Sequence, residues 1–430
     1  MPQSVTEAVG STPTRPSPRR QGLWLRGAVR AGVAASSISR NVGLGAGAII
    51  GGRVTMALAP SALAGLAAGR QVVLVTGTNG KTTTAHLLAA ALRTVGPVAH
   101  NATGANMPDG AVAALMADPA APVAVLEVDE LHLADVADAV APAVIVVLNL
   151  TRDQLDRGSE VRSVAAAVSA ALAAHPDTVV VANADDPMVV WAVGATARVV
   201  WVAAGSRWTG DANACPRCGG TVHRDRGGGA WRCGCGLTRP VPDWTAGSAS
   251  TVTGGRVIAL PLRLPGSFNV GNAAVATATA TALGLDPDVA AAAMSTTSEV
   301  AGRYAMTTLH GRRARMLLAK NPAGWAETLH LLGEHPVLLA VNAREADGRD
   351  SSWLWDVPFE NLVSRHVVAS GERAADLGVR LTYAGIDHTT VPDPIAALDA
   401  LPPGPVDVAA NYTAFHRIRR RIDTERGSAE

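Results

Sequence analysis

A chain of 430 residues, 48% hydrophobic and 17% charged, exceeds the usual size of one domain and has ample apolar side chain for packed cores, so two or three domains are expected. Its formal net charge of +1 excludes a global attraction to nucleic acid or anionic lipid and leaves any substrate to local site chemistry. The first 22 residues, rich in Pro, Ser, Thr and Arg, cannot bury enough apolar surface to offset ordering entropy and read as a disordered leader, not a signal peptide. Residues 23–70 read as an N-terminal helical segment. Its apolar stretch from Val42 to Ala68 is broken by Gly43, Gly45, Gly47, Gly51, Gly52, Arg53 and Pro60, whereas a membrane span wants roughly 20 uninterrupted apolar residues. It is expected to pack or to lie at an interface.

From Gln71 a buried strand (Val72 to Val75), a Gly loop and an Ala/Leu-rich helix from Thr82 to about Leu92 form a βα unit. Further β-branched runs at Val123 to Val128, Val144 to Leu148, Val179 to Val181 and Val199 to Val202 alternate with Ala-rich helical stretches such as Val161 to Ala174. That alternation predicts a parallel, doubly wound sheet. Asp211 to Pro240 breaks the rhythm with Cys, Gly and Arg and reads as an insertion. Helical pattern resumes at Asn269 to Leu283 and Asp288 to Met294. Beyond Gly302 and Arg303 the alternation restarts with Arg315 to Leu318, Val337 to Val341, His366 to Ala369 and Val406 to Ala410. A central domain over 71–300, with its insertion at 211–240, and a C-terminal α/β domain over 301–430 are expected.

The stretch Thr76-Gly77-Thr78-Asn79-Gly80-Lys81-Thr82-Thr83-Thr84 lies between a buried strand and a helix, where backbone N–H groups wrap phosphate oxygens and the helix dipole favours their charge. Lys81 would reach the β/γ-phosphates as a point charge, and the Thr82 hydroxyl would take a place on Mg²⁺. Only Lys81 and Lys320 occur against thirty-five arginines, so each surviving lysine marks a site where a guanidinium fork would not serve. The loop is one residue shorter than the common eight-residue pattern. In this form, Thr-Gly-Thr-Asn-Gly-Lys-Thr-Thr, it resembles the Mur ligase and folylpolyglutamate synthetase superfamily.

Three further matches follow in that superfamily's order. They are Glu127 in Glu-Val-Asp-Glu, Asn149-Leu-Thr-Arg-Asp153-Gln-Leu-Asp156, and Leu264-Pro-Gly-Ser-Phe-Asn269-Val-Gly-Asn272-Ala-Ala. The resemblance implies that Glu127 ligates a second Mg²⁺ and that Asn269 and Asn272 lie by the adenine, with Gly77, Thr78, Asn79, Gly80 and Thr83 around the phosphates. Both asparagines have a plainer alternative as helix N-caps, and Asp153 and Asp156 as solvated loop carboxylates. Glu127, at the C-terminal edge of a strand, stands where ligands of open α/β sheets gather. One departure is plain: many Mur ligases hold the second magnesium with a carbamoylated lysine, and no lysine exists between Lys81 and Lys320.

All four cysteines fall in one short segment, Cys215-Pro-Arg-Cys218 and Cys233-Gly-Cys235. Flanking a polar, Gly-rich stretch, they form the pattern of a zinc ribbon in which a tetrahedral Cys₄ site replaces a hydrophobic core. The second knuckle is C-x-C, and His223 is an alternative ligand. A ribbon inserted into a Mur-like central domain resembles the MurT family, the synthetase half of lipid II isoglutaminyl synthases. Ala319-Lys320-Asn321-Pro322-Ala323-Gly324 and Asp347-Gly348-Arg349-Asp350-Ser-Ser-Trp353-Leu-Trp355-Asp356 look like that family's C-terminal signatures.

The family's reaction amidates the α-carboxylate of D-glutamate in lipid II through an acyl phosphate, with ATP, Mg²⁺ and ammonia drawn from glutamine. That implies a cytoplasmic protein, peripheral at the inner membrane face. By the same resemblance Lys320 and Arg303 close over the nucleotide. A glutaminase needs an activated cysteine, and the ribbon claims all four, so a separate glutaminase subunit is implied, which the resemblance identifies as GatD-type. By the same resemblance, an aspartate of the Asp350 to Asp356 segment would complete the partner's Cys-His pair. Asp350 and Asp356 are the candidates, with the choice leaning to Asp356 because Trp353 and Trp355 beside it have the area of interface anchors. A Mur-type amino acid ligase or folylpolyglutamate synthetase, and a non-enzymatic scaffold that binds nucleotide and zinc, are the alternatives.

Overall fold

A computed structural model describes residues 22–41, 48–102, 104–153, 160–194, 196–205, 208–225, 229–253, 255–298, 300, 304–309 and 311–427. Nearly all of the expected leader lies outside them. Three helices come first: α1 (Leu23–Asn41), α2 (Ala48–Leu58) and α3 (Ala62–Ala67). Among the described residues no helix is long and apolar enough to cross a membrane.

A nine-stranded sheet follows. Its strands are β1 (Gln71–Thr76), β2 (Val98–His100), β3 (Val123–Glu127), β4 (Val144–Val147), β5 (Val179–Asn183) and β6 (Val199–Ala203). After a separate hairpin of β7 (Val222–Arg224) and β8 (Trp231–Cys233) come β9 (Trp244–Ala246), β10 (Ser250–Thr253) and β11 (Arg256–Ala259). The order is β11-β10-β9-β6-β5-β4-β1-β3-β2. Strands β1 to β6 and β9 run parallel, but β10 is antiparallel to both β9 and β11, so the expectation of a purely parallel sheet holds for the middle and not for this edge. Residues 244–259 are too short and polar to read as strands alone; pairing with their neighbours makes them so.

Alternate side chains of β1 serve two cores, as a sheet covered on both faces requires. Val72 and Leu74 meet α3, α5 (Pro108–Ala117), α6 (Leu133–Val140), α7 (Val161–Ala174) and α8 (Pro187–Val193). Val73 and Val75 meet α4 (Lys81–Leu92), α9 (Ser267–Ala282) and α10 (Pro287–Met294). Two of these helices start from an Asp-Pro pair: the Asp186 carboxylate accepts the Met188 N–H at 2.8 Å and Asp286 that of Asp288 at 2.9 Å. The aspartate satisfies an orphan donor while proline at the first position has none to satisfy.

A second, six-stranded sheet contains β12 (Tyr304–Leu309), β13 (Arg312–Leu318), β14 (Val337–Ala340), β15 (Val367–Ser370), β16 (His388–Thr390) and β17 (Val406–Ala410) in the order β12-β13-β17-β14-β15-β16. Only β12 is antiparallel. Helices α11 (Pro322–Leu331), α12 (Ala374–Tyr383), α13 (Ala396–Asp399) and α14 (Tyr412–Gly427) cover it. Trp353 is 7% exposed and stacks on the fully buried Trp325, ring centroids 6.0 Å apart. It is a core residue and not an interface anchor. Trp355, 55% exposed beside Tyr383, keeps that character.

Candidate active site

β1 delivers the chain to Gly77 and Gly80, both left-handed (φ 126° and 87°), before α4 begins at Lys81. A side chain at Gly80 would be strained and would meet Asn272 Oδ1 at 2.6 Å, so glycine is needed where loop and α9 touch. The turn thus aims the first-turn N–H groups of α4 out of the helix end.

A second segment holds this loop in shape. Asn149 grips Asn79 at both ends of its backbone: its Oδ1 accepts the Asn79 N–H at 2.9 Å, and its Nδ2 donates to the Asn79 carbonyl at 2.9 Å. The Thr151 N–H donates to Thr78 Oγ1 at 3.0 Å, and Asn79 Nδ2 to Thr151 Oγ1 at 3.2 Å. Sequence reasoning quoted this segment for its aspartates and missed the asparagine and threonine. Their signal was present in the same motif, but cross-strand clamping has no spacing rule.

At the metal end, Thr82 Oγ1 donates to Glu127 Oε2 at 2.8 Å, with both residues buried. A hydroxyl and a carboxylate so placed could take positions on one divalent cation. Asn101 fixes the end of β3, accepting the Glu127 N–H and donating to the Glu127 carbonyl, each at 2.8 Å. Gly104 (φ 74°) covers the pair so closely that a Cβ there would stand 3.2 Å from Thr82 Oγ1 and 3.7 Å from Glu127 Oε2. With φ at 74°, a side chain at residue 104 would be strained and would crowd the Thr82 hydroxyl.

Lys81 Nζ folds back onto its own loop, donating to the Gly77 carbonyl at 2.5 Å and to Glu130 Oε2 at 3.2 Å. Burial alone would push this ammonium down, but Glu130 first, then Glu127, Asp129 and Asp153, hold it above its ordinary value. It is a fixed positive charge. Glu130, overlooked in the Glu-Val-Asp-Glu motif, is the carboxylate that parks it.

The phosphate loop opens into a cleft of about 190 Å³ between the two sheets. Asn149, Asn269 and Asn272 line one wall, and Lys320, Gly324 and Glu327 line the other. Asn269 and Asn272 lie inside α9, whose N-cap is Gly266, so neither is a helix cap. Asn269 Nδ2 donates to the Pro265 carbonyl at 2.6 Å, and Asn272 Nδ2 donates to Asn269 Oδ1 at 3.3 Å. Lys320 Nζ stands 5.3 Å from the Tyr412 ring. Asp153 is an exposed residue, yet desolvation of its carboxyl pushes it up against the pull of Lys320 and Lys81. It therefore lies near both lysines. Arg303 and Asp156 lie outside the described residues.

Asp350 and Asp356 part company. Asp356 Oδ2 pairs with Arg152 Nη1 at 3.2 Å, linking the second sheet's surface to the segment that clamps the phosphate loop. Arg152 also binds Asp211, which accepts the Trp208 indole N–H at 2.6 Å. Asp350 makes no such link. Its Oδ1 accepts the Ser352 N–H at 2.8 Å, and the Ser352 amide and hydroxyl hold the carboxyl below its ordinary range.

The four cysteines converge: all four sulfurs lie within 4.8 Å of one another, and Cys215 to Cys235 and Cys218 to Cys233 are 3.6 and 3.5 Å apart. Tetrahedral zinc with Zn–S bonds near 2.3 Å spaces its sulfurs by roughly 3.8 Å, so the donor set fits such an ion. His223, exposed on β7, is not part of the cluster. The insertion is seated against α8 through Val190, Val222, Trp231 and Leu237, and the Trp231 indole donates to the Ala184 carbonyl at 3.0 Å.

Residues 318–415 match the family model for the MurT ligase C-terminal region, and residues 75–224 that for the Mur ligase middle domain. The chain is 30% identical over 372 residues to a Streptococcus pneumoniae protein named lipid II isoglutaminyl synthase (glutamine-hydrolyzing) subunit MurT, covering 80% of this chain and 83% of that one. A Staphylococcus aureus protein of the same name is 28% identical over 344 residues, covering 74% and 78%. Among solved structures, a pseudomurein peptide ligase type C from Methanothermus fervidus has a TM-score of 0.64 at 20% identity, covering 82% of this chain and 79% of that one. MurF from Acinetobacter baumannii has a TM-score of 0.64 at 18% identity, covering 86% and 80%. These last two likenesses are of fold.

Proposed function

The chain belongs to the MurT family of the Mur ligase superfamily, and from that premise we propose that this ATP-dependent ligase amidates the D-glutamate α-carboxylate of lipid II. The observation that carries the reading is the meeting of Lys81, Thr82 and Glu127 at the glycine loop, whose Asn79, Gly80 and Thr83 line a cleft with Lys320 on its far wall. ATP would lie with its phosphates on the loop and its adenine toward Asn269 and Asn272. Mg²⁺ held by Thr82 and Glu127 would neutralise phosphate charge. With no carbamoyl-lysine to hold a second ion, the carboxylates around the site and water are left for that task.

The chemistry asked of the residues is positioning and electrostatics. A substrate carboxylate oxygen attacks the γ-phosphorus and ADP leaves. Ammonia then attacks the carbonyl carbon of the acyl phosphate, phosphate departs, and the amide nitrogen gives up a proton to water. Lys81, drawn from Glu130 to the incoming phosphates, counters the charge that develops, and Lys320 with Arg303 would close from the other side.

Ammonia is proposed to come from a GatD-type glutaminase subunit. Trp355 and Tyr383, 55% and 76% exposed and in ring contact with each other, offer it an aromatic patch. Incubating the chain with ATP, Mg²⁺, ¹⁵N-ammonium and a soluble short-chain lipid II should yield the labelled primary amide and ADP. A Mur-type amino acid ligase would give no amide until an amino acid was added, and a scaffold would give no ADP at all.

The cysteine insertion is proposed to hold one structural zinc, because a segment this poor in apolar residues needs the metal to fold. Freshly purified protein should contain about one zinc per chain. Cys215→Ser should lose it, with protease cleavage appearing between residues 211 and 240 while β1 to β6 keep their protection. Metal-free wild-type protein with an equally protected insertion would contradict this.

A further inference from the structure

Charge along this chain is unevenly placed. Glu7 is the last carboxylate before Asp109, while ten Lys and Arg side chains lie between them. A protein with a net charge of +1 thus concentrates a basic region near its N-terminus. Of these ten, Arg26, Arg30, Arg40 and Arg53 lie on the described α1–α2 pair. Its inner contact is close: a Cβ on Gly32 would stand 2.1 Å from Thr55 Oγ1 and 2.5 Å from the Gly51 carbonyl.

The outer face of α1 carries two adjacent stripes at helical spacing. Leu23, Gly27, Ala34 and Ile38 run along one, and Arg26, Arg30, Val33 and Arg40 along the other, all exposed. Leu23, Trp24 and Ile38 are 86%, 73% and 63% exposed, and Ile49, Ile50 and Leu58 of α2 extend the apolar surface. The Trp24 indole N–H already donates to the Leu58 carbonyl at 2.7 Å, which pins the ring with its apolar area outward. Arg53 pairs with Asp109, but among the described residues no carboxylate pairs with Arg26, Arg30 or Arg40.

We propose that the outer face of α1 and α2 docks on an anionic lipid bilayer. An interfacial helix combines this set of features: a strongly basic side, an apolar side with Trp, Leu and Ile, and too little length or apolarity to span. Charge complementarity selects the occupant, because a neutral or basic protein surface would leave the arginines unanswered. The placement also suits the site. A Cβ on Gly52 of α2 would stand 2.0 Å from the Asp109 carbonyl of α5, and α5 follows the 101–107 loop in which Gly104 covers Thr82 and Glu127. A docked α1–α2 layer would set the loop end of the site behind α2 and α5 on the membrane-facing side. That last step rests on the lipid-linked substrate proposed above; the docking does not.

The test is co-sedimentation of the full chain with phosphatidylcholine vesicles and with vesicles containing phosphatidylglycerol, over a range of salt. Binding should be at least about tenfold tighter to the anionic vesicles and should weaken as salt rises. The variant Arg26→Gln/Arg30→Gln/Arg40→Gln should bind about 100-fold less, since each basic side chain near such a surface contributes about fivefold. Leu23→Ser/Trp24→Ser/Ile38→Ser should lose the binding that survives at high salt. Both variants should turn over short-chain lipid II at the wild-type rate, which separates lost docking from lost folding. Equal affinity for both vesicles, no binding by the wild-type chain, unchanged binding by both variants, or loss of the glutaminase subunit in place of vesicles would each overturn the docking. Intact vesicle binding without turnover of short-chain lipid II would instead overturn the proposed reaction and leave the docking standing.

Discussion

Lys81→Ala should lower ATP-dependent amidation by about 100- to 1,000-fold, the loss expected when one preorganised electrostatic group is removed from a developing charge. The ammonium sits at the mouth of the phosphate loop, held by the Gly77 carbonyl and Glu130 and kept protonated by four carboxylates. No other lysine occurs between it and Lys320. Lys81→Arg is the sharper experiment. With its Nζ 2.5 Å from the Gly77 carbonyl, the site fits a compact point charge, and a planar guanidinium would press on the loop that must wrap the phosphates. Arginine should therefore restore little of the activity, although this sequence uses arginine for nearly every other cation. ADP formation measured with substrate and ammonium checks both variants, and full activity in Lys81→Ala would remove the phosphate-loop assignment.

Asp350→Asn should abolish glutamine-dependent amidation, by as much as about 10⁴-fold if this carboxylate orients the partner's histidine as the third member of a triad does, and should spare the ammonium-dependent rate. The lean of the sequence reading toward Asp356 reverses here. Asp356 is committed to Arg152, whereas Asp350 is partly exposed and kept ionised by Ser352, as an orienting carboxylate must be. Asp356→Asn should lower both activities together and only a few-fold, because a half-exposed ion pair contributes about 1 kcal/mol or less while its loss loosens the clamp on the phosphate loop. Parallel assays with glutamine and ammonium decide. Equal loss with both nitrogen sources in Asp350→Asn would put that residue in the synthetase cleft and end the shared-triad idea.

Where chemistry follows chain order, the sequence was readable. The strand, glycines and lysine of 71–92 are contiguous, so their spacing specifies both the local fold and the anion site, and the β-branched runs of β3 to β6 betray strands buried on both faces. The cysteine knuckles were readable for the same reason. What escaped are relations made only by folding. The grip of Asn149 on Asn79 spans 70 residues, and the Arg152–Asp356 bridge spans two sheets. Glu130 becomes a partner of Lys81 only once β3 lies beside β1. Trp353 and Trp355 look alike in sequence, yet the short helical turn that contains them sends one into the core and leaves the other exposed. The polar strands β10 and β11 have no pattern of their own and exist through pairing with an edge that only the assembled sheet provides.

Isotope transfer probes the proposed activation step most directly. Short-chain lipid II labelled with ¹⁸O in the D-glutamate α-carboxylate should, with ATP, Mg²⁺, ammonium and this chain, give inorganic phosphate carrying one ¹⁸O for each amide formed, because the carboxylate oxygen that attacks the γ-phosphorus leaves with the phosphate. Amide formation with unlabelled phosphate would contradict activation through an acyl phosphate.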